Sequence, residues 1–553
     1  MREVKGRAVP SGSRHSAQCG DAGTQMTQQE KLVAFIGILV VLFLASLNLT
    51  VVGTAMPRVI AELGGLQYYA WAFIGYSLTS TLAVLVAGKL SDLYGRKPLI
   101  LAGIVLFALG SVLTGFSQNM LELILFRAFQ GIGGGMLMSM AFTTIGDIFT
   151  PIERGRYQGY TGAVWGISSV VGPIVGGFLT DHIGWRWVFF VNIPFAIAAL
   201  WVIARYLPAK RTPAEGRVDY LGIGLLVAAM VPLLLGLTWG GSTYAWESWQ
   251  TLSLLGAALV FGTLFVVWEL RVKTPLLDFG LFKNPTFLVA NLAGFLNTAG
   301  MYAAILYLPL YMQSVRGETA SGSGIVLTPL MLGLITTSTL AGQGVSRTGR
   351  YKPFILAGSV VMVGALMLTS RLSLETPLWL AFSFMVLLGL GLGPINSLLT
   401  LAVQNATPRA ELGMATSANQ FFRQIGSTVA ATVFGTLMSA YLAHHLWADI
   451  GGAAAKLPVS ALEKIANPEV LNSPEALQRT QQVLTRIGGP EFASSVLHGL
   501  RLALSGALSE IFLVSAGLSL LALLVVTRLP QLELRGAKAT SQAPVVAGSA
   551  ADD

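Results

Sequence analysis

Residues 122–136 read ELILFRAFQGIGGGM and residues 162–177 read GAVWGISSVVGPIVGG, and these two pieces decide what kind of molecule the chain makes. The first sets Arg127 and Gln130 inside an otherwise apolar run. An arginine in hydrocarbon costs about 3 kcal/mol even on insertion scales, so Arg127 is expected to face other helices or a wet cavity and to serve function. In the second piece, spacings of four bring Gly162 with Gly166, and Gly172 with Gly176, onto one helix face, with Gly177 following. Small-residue stripes of this kind let a neighbouring helix approach backbone to backbone. Pro173 removes one backbone donor from that helix, which predicts a bend.

The composition agrees with a chain built from such helices. Of 553 residues, 54% are hydrophobic and 11% are charged, and the mean hydropathy is +0.67. Soluble domains carry about 25% charged residues, so the chain reads as a polytopic membrane protein of the all-α class. The formal net charge of +9 sits in short basic blocks between apolar runs. That pattern suits anchoring at a cytoplasmic membrane surface and argues against nucleic acid as a partner. A lone cysteine, Cys19, has no partner for a disulfide and no metal-site spacing.

A membrane-crossing helix needs about 20 mostly apolar residues. Runs that meet this lie near 32–52, 70–88, 99–116, 121–144, 157–179, 187–206, 221–238, 251–268, 286–312, 323–345, 353–370, 378–403, 415–440 and 501–526, about fourteen in all. Lys and Arg concentrate after the even-numbered runs, which puts both termini on the cytoplasmic side of a cell inner (plasma) membrane. Residues 1–30 and 529–553 read as disordered cytoplasmic tails rather than a signal peptide. The loop TWGGSTYAWESW at 238–249 then falls outside, where Trp and Tyr act as interface anchors or as a substrate vestibule. Residues 441–500 form one long outer segment in which SPEALQRTQQVLTRIG, from Ser473, carries a helix-start signal of Ser followed by Pro. A short amphipathic hairpin is expected there, either over the outer mouth or functionally silent.

The chain also echoes itself. GKLSDLYGRKP at 88–98 and GQGVSRTGRYKP at 342–353 each lead into a new run on the cytoplasmic side, which suggests two similar helical halves with any substrate site between them.

GKLSDLYGRKP, with Gly88, Asp92, Gly95, Arg96 and Lys97, resembles the signature loop between spans two and three of the major facilitator superfamily. LILFRAFQGIGGG resembles that superfamily's fourth-span arginine motif, and GAVWGISSVVGPIVGG resembles the fifth-span motif of its antiporters. With about fourteen runs, the resemblance is to the fourteen-span drug:proton antiporter group and covers roughly residues 30–528. It implies two six-helix bundles, 31–206 and 281–528, joined by a linker at 207–280 that adds two transmembrane helices. It further implies an inner gate in which Asp92 meets the start of the eleventh run near Pro353 and Arg96 pairs with Asp147. The alternative is that Arg96 and Lys97 only set topology.

One departure stands out. FLASLNLTVVGTAMPRVIAELGG at 43–65 resembles the first-span motif, yet Asn48 occupies the place where many members carry aspartate. An amide does not bind and release a proton near neutral pH, so Glu122 and Glu510 join Arg127 and Gln130 as proton-coupling candidates. Asn48, Trp165, Phe295, Tyr302, Tyr307, Gln420, Phe421 and Arg423 are candidates for lining the substrate cavity, each against the alternative of plain helix packing, or of snorkelling for Arg423.

The sequence holds no G-x-x-x-x-G-K-[ST] loop for ATP and no cluster with metal-ligand spacing, since His444 and His445 are adjacent; no cofactor and no enzyme activity are expected. The expectation is a secondary exporter of small hydrophobic or amphipathic molecules, exchanging them for protons across the lipid bilayer. A lipid translocator of the same fold and a non-transporting receptor are the alternatives.

Overall fold

The computed structural model describes residues 26–64, 68–209, 217–241, 243–316, 327–450, 474–532 and 534. Cys19, Ser473 and most of both tails lie outside the described residues. The helices are α1 Gln28–Leu63, α2 Tyr69–Tyr94, α3 Arg96–Gly115, α4 Met120–Ile148, α5 Pro151–His182, α6 Trp187–Phe190, α7 Asn192–Tyr206, α8 Tyr220–Trp239 and α9 Trp249–Glu269. They continue as α10 Pro285–Leu310, α11 Thr328–Thr348, α12 Lys352–Thr369, α13 Leu378–Ala406, α14 Leu412–Ile450, α15 Pro474–Gly488 and α16 Pro490–Thr527.

Among the described residues, 13 helical stretches are long and apolar enough to cross a membrane. Together with α11 they match the fourteen runs of the sequence. The helix α11 falls short of that apolarity because it carries Thr336, Thr337, Ser338, Gln343 and Ser346, and it lies between α5 and α13. Ser338 is fully buried there.

Helices α1 to α7 pack around two shared apolar cores, and α10 to α16 around a third. The glycines of GIGGGM in α4 explain how the first group closes. A Cβ on Gly131 or Gly135 would strike the backbone of α2, and one on Gly133 the backbone of α3. Backbone contact of this closeness gains dispersion and leaves no void. Helices α8 and α9 pack mainly on each other and touch α2 and α14. Their outward faces carry Leu221, Val227, Leu252, Leu259 and Val260 in exposed positions, as lipid-facing helices do.

The outer segment differs from the hairpin read in the sequence. Residues 441–450 prolong α14 and 490–500 prolong α16, while 451–473 lie outside the described residues. The helix that starts at Pro474 is present as α15, and it anchors through Leu484, which is fully buried. Apolar residues such as Leu442, Val496 and Leu500 continue the buried faces of the two spans, so the helices run on past the length a bilayer requires.

Candidate functional site: a latch between two helix bundles

The α2–α3 junction is built around Gly95, whose φ of 91° is a conformation that glycine adopts without strain. This sharp turn brings Asp92, at the end of α2, within reach of Arg96, at the start of α3. Arg96 Nη1 lies 2.6 Å from Asp92 Oδ1, and Arg96 Nε lies 2.6 Å from Asp147 Oδ2 at the end of α4. Arg96 also donates to Ser91 Oγ. Lys97 is half-buried beside them.

The Asp92 carboxylate also crosses to the other bundle. Gly413 N donates to Oδ1 at 3.0 Å and Met414 N donates to Oδ2 at 2.8 Å. These are the second and third residues of α14, whose first-turn amides have no partner within their own helix. A carboxylate there satisfies two donors and meets the positive end of the helix dipole. The partner is therefore the start of α14, not the start of α12 near Pro353 as the sequence suggested. Lys352 and Tyr351 at that other loop bind the end of α16 instead, through Thr527 O at 2.9 Å and Pro530 O at 2.8 Å.

The same seam continues along α2 and α14. A Cβ on Gly88 would collide with Ser417, and one on Gly413 with Asp92, Arg96 and the backbone of Gly88. Ser417 also hydrogen-bonds Ser139 of α4.

A second seam joins α5 to α11. Gly155 and Gly159 face Gly342 and Ser338, while Gly162 and Gly166 face Ser338 and Ile335. Ser338 Oγ donates to Gly159 O at 2.9 Å, and Ser346 Oγ to Ile152 O at 2.8 Å. Nearby, Gln158 Nε2 donates to Gln404 Oε1 at 2.8 Å. Farther along α5 the stripe changes partner. Gly172 and Gly176 lie against Thr50, Val51 and Thr54 of α1, and Gly177 faces open space. The helix runs through Pro173, and Thr50 Oγ1 donates to Ser168 O at 3.2 Å near it.

Inside the first bundle, Arg127 is 1% exposed. Its Nη1 donates to Asn48 Oδ1 at 2.5 Å and to Gln130 Oε1 at 3.1 Å, and its Nε donates to Ala72 O at 3.3 Å. The guanidinium stands 4.5 Å from the Tyr76 ring centroid. Gln130 passes the chain on to Ser111 Oγ at 3.0 Å, which is also reached by Asn192 Nδ2 at 3.1 Å. All of these partners are uncharged. A buried cation with neutral acceptors only is held by hydrogen bonds and ring electrostatics. Asn48 itself is fully buried against Arg127, with its Nδ2 unpartnered.

Glu122 and Glu510 lie elsewhere. Glu122 is half-buried and caps the start of α4, accepting from Gln118 N and Asn119 Nδ2 at 2.8 Å each. Glu510 is exposed on α16.

In the second bundle, Arg423 Nη1 donates to Asn396 O at 3.2 Å. It lines a small cavity with Gly294, Asn297, Thr298, Met301 and Asn396. The volume of ≈ 10 Å³ suits one water rather than a drug-sized molecule. Phe295, Tyr302 and Tyr307 are half-buried on α10, and Tyr307 meets Phe434 edge-on. Phe421 packs on Phe422. Gln420 is 9% exposed, with its Nε2 unpartnered. Trp165 packs from α5 against the core of the second bundle. The candidate list thus separates into Asn48 and Trp165 in the first bundle and the rest in the second.

The family model of the Major Facilitator Superfamily matches residues 38–431. The chain belongs to that superfamily. It is 39% identical over 497 residues to the multidrug transporter protein MdtP of Bacillus subtilis (strain 168), covering 88% of this chain and 90% of that one. It is 34% identical over 485 residues to multidrug resistance protein 3 of the same organism, covering 88% and 94%. Among solved structures it resembles the proton:xylose symporter XylE, with a TM-score of 0.57 at 13% identity over 91% of this chain and 96% of that one. At that identity the likeness shows the fold. This major facilitator chain is a multi-pass membrane transporter.

Several residues of the superfamily member's seams escaped the reading of the sequence. Ser139, Gln158, Ser338, Gln404 and Ser417 are single polar residues on apolar helices, and each meets the opposite bundle or the helix beside it. Their signal is weak because Ser and Gln also satisfy themselves by bonding back along their own helix.

Proposed function

We propose that this chain is a secondary exporter of small hydrophobic or amphipathic molecules, driven by proton antiport through alternating access. The observation that carries the reading is Asp92 capping α14 across the bundle boundary. A cap made of one carboxylate and two amides is strong enough to close one end and weak enough to break in each cycle, since such bonds contribute about 1.5–3 kcal/mol. The capped end, with both termini, faces the cytoplasm. Two relatives whose names describe multidrug transport and resistance support export of small molecules, and the glycines Gly155 to Gly166 of α5 supply a surface on which α11 can slide.

In this reading Gly88, Gly95, Arg96, Lys97 and Asp147 hold Asp92 in place. Arg127 organises the polar centre of the first bundle through Asn48 and Gln130. Substrate enters between the bundles, past Trp165, Phe421 and Arg423.

The test is proton movement in proteoliposomes when lipophilic cations, neutral drugs or lipids are added. Substrate-triggered proton flux is expected, and Arg127→Ala is expected to abolish it while leaving insertion intact. Normal coupled flux in that variant would remove Arg127 from the mechanism. Substrate movement without proton flux in the unaltered chain would replace antiport by facilitated movement or lipid translocation.

A further inference from the structure

At the foot of the inserted hairpin, two carboxyl groups share one small space. Asp219 caps α8, with Oδ1 accepting from Gly222 N and Oδ2 accepting from Trp268 Nε1, each at 2.8 Å. Glu269, the last residue of α9, is 3% exposed. Its Oε2 accepts from Leu277 N at 3.1 Å, while its Oε1 is buried without a partner. Glu269 Oε1 and Asp219 Oδ2 each stand 2.5 Å from the point a Cβ on Gly222 would occupy. The two oxygens therefore lie within about 5 Å of each other across a glycine that leaves the space open.

Two ionised carboxylates so placed, one with an unsatisfied oxygen, would repel in a poorly solvated site. A proton on Glu269 Oε1 removes that repulsion and gives the orphaned oxygen a hydrogen on the side facing Asp219. The charged groups facing Glu269 are Asp219 from α8 and Lys89 from α2. The segment between α9 and α10 contributes the Leu277 amide, and the carboxylate of Asp278 there turns to Gly280 N at 2.7 Å. Just before α14, Glu411 is in electrostatic reach of Asp278, Asp92 and Lys89.

This site connects to the latch through consecutive contacts. Leu277 N binds Glu269, the next amide, Asp278 N, reaches the Met414 sulfur at 3.3 Å, and Met414 N caps onto Asp92 Oδ2 at 2.8 Å. A change of charge at Glu269 therefore acts on a segment that touches the latch residue two positions into α14.

We propose that Glu269 and Asp219 form a proton-binding site, holding one proton between them, that favours the closed latch. Loss of that proton leaves two facing carboxylates, whose repulsion displaces Glu269 together with the 276–278 segment it holds and so shifts Met414 from its place. The existence of the site is independent of proton antiport; only its effect on transport rests on that reading.

The experiment is pH-difference infrared spectroscopy on the full chain in lipid nanodiscs, following the C=O stretch of protonated carboxyl groups. The expected result is a band at neutral pH that disappears on alkalinisation and is missing from Glu269→Gln, an isosteric change. Identical spectra for the wild type and Glu269→Gln would overturn the proposal. Asp219→Asn, which removes the facing charge, is expected to move the loss of the Glu269 band to lower pH. An unmoved transition would overturn the shared site. In proteoliposomes, transport is expected to depend on pH at the latch side in the wild type and to lose that dependence in Glu269→Gln. Proton flux absent while the band is present would sink antiport and leave the site standing. Flux present without the band would do the reverse.

Discussion

The two seams that join the bundles are similar in layout and opposite in chemistry. In each, a glycine near the end of one helix lies against small residues near the start of another: Gly88 against Gly413 and Ser417, Gly342 against Gly155 and Gly159. Four residues on from that glycine stands Asp92 in one seam and Ser346 in the other. Asp92 supplies the acceptors for the first amides of α14. At the start of α5 the cap is local, because Thr150 and Glu153 form a capping box within their own segment, with Thr150 N donating to Glu153 Oε2 at 3.0 Å, and Ser346 donates to Ile152 O. One helix start is thus capped from within its own bundle, and the other is capped from across the bundle boundary. The lesson is that the α2–α14 seam is closed by a charged cap, whereas the α5–α11 seam is closed by neutral hydroxyl-to-carbonyl bonds.

The largest expected effect comes from filling that seam. Gly413→Ala sets a methyl group against Asp92, Arg96 and the backbone of Gly88. Overpacking of this kind costs roughly 1–3 kcal/mol, and at the upper end the closed population falls by more than about tenfold. Transport assays should show a loss of that order with insertion unchanged. Full activity would mean that the seam does not need to close so tightly.

Ser346→Ala is the matched test on the other side. It removes one neutral hydrogen bond, worth about 0.5–1.5 kcal/mol, and should slow transport by only a few-fold. An effect equal to that of Gly413→Ala would erase the distinction between the seams. Glu153→Ala sharpens the comparison further. Loss of a capping box typically removes about 1 kcal/mol from the helix, so the melting temperature should fall slightly while the rate of transport per folded molecule stays constant. A selective loss of rate would show that the α5 cap also changes during the cycle.

The fourteen helices were legible because hydrocarbon thickness imposes one length on every crossing. Arg127, Asp92 and Arg96 were legible because charge is conspicuous in an apolar chain, and the pairing of Arg96 with Asp147 was implied by the resemblance of the loop motif. The partner of Asp92 was not legible. It lies 321 residues away, and the starts of α12 and α14 both present free amides at the same end of the molecule, so only packing chooses between them. The division of the α5 stripe, with Gly155 to Gly166 against α11 and Gly172 and Gly176 against α1, was hidden for a similar reason. Periodicity gives a face, but it does not say which helix covers it. Glu269 went unread because an acid ending an apolar run looks interfacial until Asp219 is found beside it.

The most direct measurement is the distance across the α2–α14 seam in the working protein. Tyr94 and Ala410 are both exposed beside the latch, so each can be changed to cysteine for spin labelling once Cys19 is replaced by serine. In lipid nanodiscs the wild-type background should show a short, closed distance in exchange with a longer one. Asp92→Asn, which keeps the shape and removes the charge, should move most of the population to the longer distance. An unchanged distance distribution in Asp92→Asn would contradict the claim that this carboxylate holds the bundles together at that end.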